Sequence, residues 1–441
     1  MITCISNWNY DGEFPLTQNN KTMQMKTKFM LITSVILVSI CTYGCGGNNS
    51  VKETTATNET VAGDSTKLPP VETNKPNTDY KPALAGQTRV AGVKTTTPYK
   101  VEKIAEKLLR PWAIVPMPDG RLLVTEKSGY MQIHDADGQL VKKITGFPAV
   151  VDRGQIGMLD VALDPDFNNN KIIYWSYAEK SGNGNLMVVG KGKLDEASST
   201  VQNPVVIFRA TPALNSDLHQ GSRLVFDKDG NLFVSTGERS ILDGRKQAQW
   251  LNSGLGKIFK ITKEGKPAPG NPFLNQKDAM PEIFASGLRN PQSLDINPVT
   301  GELWEAEFGP RGGDELNIIK AGKNYGWPII TYGIEYGGPA IGDAIQQKEG
   351  MEQPIYYWDP VISPSGMTFY KGDAIPEWKN NLFIGGLSGA HIVRLVIENN
   401  KVVGEERLLG DKQDRFRDVA YHDGMLYAVT DGGNMYKISK K

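Results

Sequence analysis

The sequence contains only three cysteines in 441 residues, and all three (Cys4, Cys41 and Cys45) precede residue 46. The rest of the chain therefore has no disulfide, no cysteine-ligated zinc and no cysteine nucleophile. Histidine is equally scarce, with four in the whole chain. This argues against a metal site built from several histidines but still allows a single general base.

The chain has no excess charge, since 49 basic residues balance 49 acidic ones. Nothing in this balance would attract nucleic acid or an anionic membrane surface, so we expect neither as a partner. Long amphipathic helical patterns are also lacking. The 47 glycines, 26 prolines and 39% hydrophobic residues are typical of a compact, turn-rich globular protein.

The longest apolar run near the N-terminus, residues 29–40, is too short to span a bilayer. It follows Lys26 and Lys28 and precedes the small residues that lead to Cys45, which is the pattern of an export signal. The cleavage region resembles a bacterial lipobox. We therefore expect residues 1–45 to comprise a dubious N-terminal extension and a lipoprotein signal peptide. Lipidated Cys45 would then anchor an exported periplasmic or cell-surface protein to the membrane.

Thr42 stands where a lipobox usually has Leu, so plain secretory cleavage remains the alternative. Residues 46–97 are rich in Thr, Asn, Lys and Pro and poor in large apolar side chains. Such a composition cannot offset the entropy of ordering, so it predicts a disordered tether. The folded domain is expected at residues 98–441.

A strand introduced by an Asp, Asn or Gly turn recurs six times, which is the signature of a β-hairpin. These six segments are residues 119–124, 170–174, 229–234, 300–304, 380–384 and 423–427. Short antiparallel strands repeated at intervals of tens of residues favour a radial arrangement. The fold class predicted is all-β, a six-bladed β-propeller of four-stranded antiparallel blades. Residues 180–215 and 240–285 are predicted as long loops on one face, and a pair of β-sandwiches is the alternative fold.

Four segments carry chemistry. His219 ends a long loop just before a strand, where it is either a cleft-facing base or a loop histidine satisfied by backbone. Arg415 and Arg417 alternate on a strand, so both point to one face and form an anion clamp or a solvated surface. Arg289 and Asn290 precede a proline turn, and residues 307–315 form a glycine-rich loop with hard oxygen ligands of the kind that Ca²⁺ prefers.

Together these segments resemble the glucose/sorbosone dehydrogenases, a family of quinoproteins, over residues 101–438. The motifs that carry the resemblance are residues 155–160, 164–167, 219–224, 289–292, 309–315, 324–328 and 415–418. The resemblance implies oxidation of aldose sugars at C1 to lactones with pyrroloquinoline quinone (PQQ) and Ca²⁺. The electron acceptor, a quinone or a cytochrome, is not implied by the sequence.

The resemblance also implies roles for individual residues. The catalytic residues would be His219, which accepts the proton of the C1 hydroxyl, together with Arg289 and Gln155. The quinone would be held by Gln155, Arg289, Asn290, Arg415 and Arg417. Calcium would be bound by the carbonyl groups of Gly309, Pro310 and Tyr325 and by the carboxylate of Glu315.

One departure from the family lies at residues 386–391, where relatives carry a lysine that binds the cofactor and this chain has Ser388. Two other functions share the predicted fold. A Ca²⁺-dependent lactonase would use acidic side chains around its ion, and the Arg415–Arg417 pair argues against it. A non-catalytic glycan-binding propeller would not need His219, Arg289 and Arg417 together.

Overall fold

A computed structural model describes residues 68–441 of the chain. The predicted signal peptide, Cys45 and the first part of the predicted tether lie outside these residues. The described part contains 24 β-strands in six four-stranded antiparallel sheets. Its two α-helices, α1 (Phe167–Asn170) and α2 (Leu242–Arg245), have four residues each, and none of its helices could cross a membrane.

Each sheet is one blade of a propeller, so the predicted fold is confirmed. Strand β1 (Tyr99–Ala105) comes first in the chain and belongs to the last blade. Blade 1 consists of β2 (Pro111–Pro116), β3 (Leu122–Glu126), β4 (Tyr130–His134) and β5 (Leu140–Ile144). Blade 2 consists of β6 (Met158–Leu163), β7 (Ile172–Ser181), β8 (Gly184–Asp195) and β9 (Thr200–Arg209). Blade 3 consists of β10 (Leu224–Phe226), β11 (Leu232–Thr236), β12 (Lys257–Ile261) and β13 (Ile283–Ser286).

The second half of the propeller repeats this order. Blade 4 consists of β14 (Pro291–Ile296), β15 (Leu303–Glu307), β16 (Asp314–Ile319) and β17 (Tyr356–Trp358). Blade 5 consists of β18 (Pro364–Phe369), β19 (Leu382–Gly386), β20 (His391–Glu398) and β21 (Lys401–Leu408). Blade 6 consists of β22 (Phe416–His422), β23 (Met425–Thr430), β24 (Met435–Lys440) and β1. Because β1 pairs with β24, the two ends of the domain close the ring within one sheet.

The six repeated segments of the sequence are the second strands of the six blades: β3, β7, β11, β15, β19 and β23. The turn before each of them closes a hairpin with the first strand, as Gly230 does when its N–H donates to the carbonyl of Asp227 at 3.1 Å. The loop predicted at residues 180–215 is wrong for most of its length. It is occupied by the long strands β8 and β9; β8 is buried over most of its length and β9 is mostly exposed or half-buried.

The apolar core is divided among the junctions between blades. One buried cluster lies at each of the six junctions, and the face of one sheet packs there on the face of the next. Trp304 of blade 4, for example, meets Phe369 of blade 5 edge-to-face at 5.5 Å. These junctions fix the position of each blade around the axis, and with it the position of the loops at each end.

The prediction of a tether over residues 46–97 is wrong for its described part, residues 68–97, which pack against the propeller. Gly92 pairs in parallel with Glu405 at the edge of blade 5. The hydroxyl of Thr95 donates to Glu406 at 2.6 Å, and that of Thr78 donates to Asp359 at 3.0 Å. This segment is ordered by hydrogen bonds to carboxylates, which composition alone does not reveal.

Candidate functional site

The predicted site residues meet at one end of the propeller. In an antiparallel blade, the start of the first strand lies beside the end of the second strand, as in the pairing of Pro291 with Glu307. In four blades the same backbone hydrogen bond recurs at this rim. The residue that follows the second strand donates its N–H to the carbonyl of the residue that precedes the first strand. The donors are Lys127, Phe308, Leu387 and Asp431, and the acceptors are Arg110, Asn290, Ser363 and Arg415. Chain segments that are far apart in sequence therefore surround one axial opening.

His219 lies in the loop that leads into β10 and is 4% exposed. Its Nδ1 lies 2.6 Å from Oε1 of Glu238, a carboxylate that follows the second strand of the same blade. A carboxylate at this distance keeps the imidazole proton on Nδ1 and leaves the lone pair of Nε2 free to accept a proton. Within the described residues, Nε2 forms no hydrogen bond.

The environment of His219 keeps it neutral. Burial, followed by the nearby Arg289 guanidinium, lowers the pKa of His219 to about 4, although the bond to Glu238 acts in the opposite direction. A neutral imidazole is the form that can act as a base, so His219 is available as one throughout the neutral pH range.

The backbone around His219 is constrained. His219 has φ 44°, in the left-handed region that few side chains adopt. Gly237 passes beneath it so closely that a Cβ there would lie 2.4 Å from the carbonyl oxygen of His219. The buried Arg239 guanidinium donates to the carbonyl of Leu218 at 3.0 Å and also to that of Ser216. These contacts hold the loop that carries the imidazole.

Gln155 joins blade 2 to this loop. Its side-chain Oε1 accepts a hydrogen bond from the backbone N–H of His219 at 3.1 Å. Its backbone N–H donates to the carbonyl of Asp217 at 2.9 Å. Gln155 is exposed at the rim. The structure therefore places Gln155 beside His219.

Arg289 and Asn290 enter the site from blade 4, and both are buried. The Nη1 of Arg289 donates to the carbonyl oxygens of Phe308 at 2.9 Å and Gly309 at 2.6 Å. Its guanidinium also lies 5.2 Å from the centre of the Trp327 ring. Yet Nε of Arg289 and Nδ2 of Asn290 are buried without any hydrogen-bond partner in the described residues. Two unsatisfied donors at adjacent positions provide a place for an acceptor from a ligand.

Arg415 and Arg417 both reach Asp431, which the sequence analysis did not identify. Nε of Arg415 lies 3.0 Å from this carboxylate, and Nε of Arg417 lies 2.8 Å from it. Arg417 is the more buried of the two, and its Nη1 donates at 2.9 Å to Gln292 at the start of β14 in blade 4. The two arginines therefore face one side, as predicted, and Arg417 extends toward the axis.

The four residues predicted to bind calcium line one cavity of about 10 Å³. This is about the volume that one water-sized sphere occupies. Gly309, Pro310, Glu315 and Tyr325 lie in its wall together with Glu307. The carbonyl of Gly309 already accepts a bond from Arg289, so a metal ion there would share this oxygen with the guanidinium.

Besides Asp314, which accepts the N–H of Gly309, three buried carboxylates lie in this region: Glu305, Glu307 and Glu315. Burial raises the pKa of each one, and the charge of Glu307 raises the pKa of Glu305 and of Glu315 further. A bound cation would relieve this repulsion. Across residues 68–441, however, no three His, Cys, Asp or Glu side chains converge in an arrangement that would hold a metal ion. Backbone carbonyls would have to supply most of the ligands.

A buried charge network forms the floor of the opening. Arg223 of blade 3 is paired with Asp160 of blade 2 at 3.2 Å and with Asp418 of blade 6 at 3.0 Å. Its guanidinium also lies 4.2 Å from the centre of the Trp112 ring of blade 1. Four blades are thus joined on the axis below the site.

The sequence profile of the glucose/sorbosone dehydrogenase family matches residues 108–437. The aldose sugar dehydrogenase YliI of Escherichia coli is 40% identical over 347 residues, which cover 77% of this chain and 93% of that protein. Quinoprotein glucose dehydrogenase B of Acinetobacter calcoaceticus is 26% identical and is matched over 86% of its length by 76% of this chain. The structure of the PQQ-bound aldose sugar dehydrogenase of Streptomyces coelicolor superposes with a TM-score of 0.64 at 27% identity, covering 78% of this chain and 99% of that one.

Proposed function

The chain belongs to the glucose/sorbosone dehydrogenase family, and on this premise we propose that it oxidises an aldose sugar at C1 to a lactone with PQQ and Ca²⁺. The observation that carries the proposal is the free Nε2 of His219, which opens on the same axial space as two buried, unpartnered donors. The imidazole can accept a proton, and the two donors can bind an oxygen.

The residues fit a carboxylated quinone. Arg289 Nε and Asn290 Nδ2 have no acceptor among residues 68–441, and a quinone oxygen or ring nitrogen would supply one. From blade 6, Arg415 and Arg417 would hold carboxylates of the cofactor. Gln155 would contact both cofactor and sugar from the rim. These donors come from three different blades, so the preformed ring of blades orients the cofactor before substrate arrives.

A bound quinone would supply the acceptor for the hydride of C1, and bound Ca²⁺ would act as a Lewis acid on the quinone. His219 removes the proton of the C1 hydroxyl at Nε2, and Glu238 stabilises the imidazolium that forms. Arg289 would stabilise the negative charge that develops on the quinone oxygen that it binds. Gly309, Pro310, Glu315 and Tyr325 would hold the calcium ion.

Reconstitution of the purified apoprotein tests the proposal. We expect dye reduction with a panel of aldoses only when PQQ and Ca²⁺ are both supplied. Omitting each of them in turn is the control. Hydrolysis of a lactone in the absence of quinone, with no sugar-dependent dye reduction, would contradict the proposal and favour the hydrolytic alternative.

We also propose that the enzyme works outside the cytoplasm, held by a lipid on Cys45, and passes its electrons to a quinone or a cytochrome. The support is the export signal of residues 26–45, which lies outside the described residues. An exported location would give the enzyme access to sugars before they are taken up.

A further inference from the structure

Blades 1 and 5 are the two blades from which the sequence predicts no site residue, yet blade 1 places a cation on the rim. Lys127 is the first residue after β3, at the position that Asp431 occupies after β23 in blade 6. Its backbone N–H donates to the carbonyl of Arg110 at 3.1 Å, just as that of Asp431 donates to Arg415 at 2.9 Å. The geometry of the repeat thus places Lys127 on the rim beside the arginine pair.

The side chain of Lys127 points along the rim toward blade 2. Its Nζ donates at 2.5 Å to the carbonyl of Gly154, the residue before Gln155. It is therefore positioned between Gln155 on one side and the Arg415–Arg417 pair on the other. Burial, Arg417 and Arg110 lower the pKa of Lys127 to about 8, although Asp152 and Asp431 act in the opposite direction, so the side chain is mostly charged at neutral pH.

This part of the rim has more positive than negative charge. Arg110 is paired with Asp152, and these two charges cancel. Arg415 and Arg417 share the carboxylate of Asp431, and Lys127 forms no ion pair within residues 68–441, so three positive charges lie beside one paired carboxylate. Like charges kept together in a partly buried place require an anion to relieve their repulsion.

On the other flank of the arginine pair, the second strand of blade 5 is followed by Leu387 and Ser388 and not by a lysine. Ser388 in blade 5, where relatives have a lysine, is exposed, and its hydroxyl lies 2.8 Å from that of Ser363. Blade 6 lies between blades 5 and 1, because its inner strand β22 contacts both β18 and β2. The structure therefore supplies one lysine next to the arginine pair, from the opposite neighbouring blade.

We propose that Lys127 is a third cationic ligand of the carboxylated cofactor and takes over the role that Ser388 cannot fill. This inference rests on the proposed function, since it assumes that an anionic quinone occupies the axial opening. Its consequence is that four blades, 1, 2, 4 and 6, would hold the cofactor.

The test is equilibrium binding of PQQ to the apoprotein at saturating Ca²⁺, followed by quenching of tryptophan fluorescence. Lys127→Met and Lys127→Gln should each weaken binding about ten- to hundredfold, the range for loss of one partner from a partly desolvated charge pair. Both variants should also lower the salt dependence of binding, since one cation is missing. Lys127→Arg should bind nearly as wild type. Lys143→Met is the matched control, because Lys143 lies on the outer strand of the same blade over Tyr130.

The double variant Lys127→Met with Ser388→Lys should regain most of the affinity, because the cation is returned to the other flank. Thermal unfolding of each apoprotein checks that it is folded. Wild-type affinity in Lys127→Met would overturn the inference alone. Weak binding by Lys127→Met together with normal binding by Lys127→Gln would also overturn the inference. A neutral side chain that donates to Gly154 would then be enough for normal binding, and the positive charge of Lys127 would not be needed. If wild-type protein bound no quinone at all, the proposed function would fail as well.

Discussion

Nδ1 of His219 and Oε1 of Glu238 lie 2.6 Å apart, although the two residues belong to different strand connections of blade 3. Glu238 is 1% exposed, and its other oxygen, Oε2, has no hydrogen-bond partner among the described residues. A buried carboxylate that accepts a hydrogen bond from an imidazole can stabilise that imidazole when it gains a proton. The pair therefore has the geometry of a base with its orienting group.

The first prediction concerns this pair. His219→Gln should lower turnover by about 10²–10⁴, the usual contribution of a positioned general base, while PQQ binding stays near normal. Glu238→Gln should give a loss in the same range, because its amide would donate to Nδ1 and leave the proton on Nε2. Steady-state kinetics of the reconstituted enzymes gives both values. Unchanged turnover in His219→Gln would dismiss it as the base.

The second prediction follows from the pKa of His219, which the fold lowers from 6.5 to about 4. Protonation of His219 therefore favours the unfolded chain. Its stabilising contribution is complete above pH 6.5 and is lost as the pH falls from 6.5 through 4, by roughly 3 kcal/mol in total. His219→Gln should accordingly lose less stability than wild type between pH 7 and pH 4.5. Thermal unfolding at the two pH values compares them, and equal losses would mean that His219 is not neutral in the fold.

The third prediction concerns calcium. Glu315 is 9% exposed, and its pKa is raised by burial and by Glu307, so a divalent cation beside it should stabilise the fold. Removing Ca²⁺ with a chelator should lower the unfolding temperature of wild-type protein. Glu315→Gln should reduce this difference, because it removes one oxygen charge from the cavity and one source of repulsion. Glu302→Gln, at the turn before β15, is a control that should behave as wild type. Equal Ca²⁺ stabilisation in wild type and Glu315→Gln would place the ion elsewhere.

The fold could be predicted because each second strand carries its own local signal. The turn and the β-rich run that follows it lie within a few residues of one another, so the hairpin is encoded locally. The site residues with recognisable motifs, such as His219 and Arg289, could also be predicted. Their meeting at one rim follows from the antiparallel order within each blade.

Glu238 and Asp431 could not be predicted in the same way. Each reaches its partner only because the end of a second strand lies beside the start of a first strand, and no spacing in the sequence expresses this. The sequence did not predict that residues 68–97 pack against the propeller, for a different reason. Their attachment rests on carboxylates of the propeller, such as Asp359, Glu377 and Glu406, whereas the prediction counted only apolar residues within the segment.

The fourth prediction concerns the membrane anchor. Cys45→Ser should move the protein from the membrane fraction to the soluble fraction without changing its specific activity, because Cys45 lies before the part of the chain that matches the family. Fractionation of cells that make each form, with activity measured in both fractions, gives the comparison. Cys41→Ser is the matched control and should stay with the membranes. A soluble wild-type protein would show that no lipid is attached.

The last prediction concerns capture of the cofactor by the arginine pair. Arg417 is more buried than Arg415, and it reaches Gln292 of blade 4 as well as Asp431. Removing one partner of a charge-assisted pair in a partly desolvated site costs about 2–5 kcal/mol, a loss of tens to thousands of times in affinity. Arg417→Ala should therefore require a far higher quinone concentration for reconstitution. Arg415→Ala should raise the required concentration less, because Arg415 is more exposed.

Ser388→Lys should act in the opposite direction and lower the quinone concentration required, because it adds a cation beside the same pair. Excess Ca²⁺ should not rescue Arg417→Ala, since the cavity at Gly309 and Pro310 stays intact and only the anion clamp is lost. Titration of each apoprotein with quinone at saturating Ca²⁺, followed by sugar-dependent dye reduction, separates the two effects. Reconstitution of Arg417→Ala at the wild-type quinone concentration would refute the clamp. The positive charge of Arg417 would then serve only to neutralise Asp431, and the cofactor carboxylates would have to be held elsewhere on the rim.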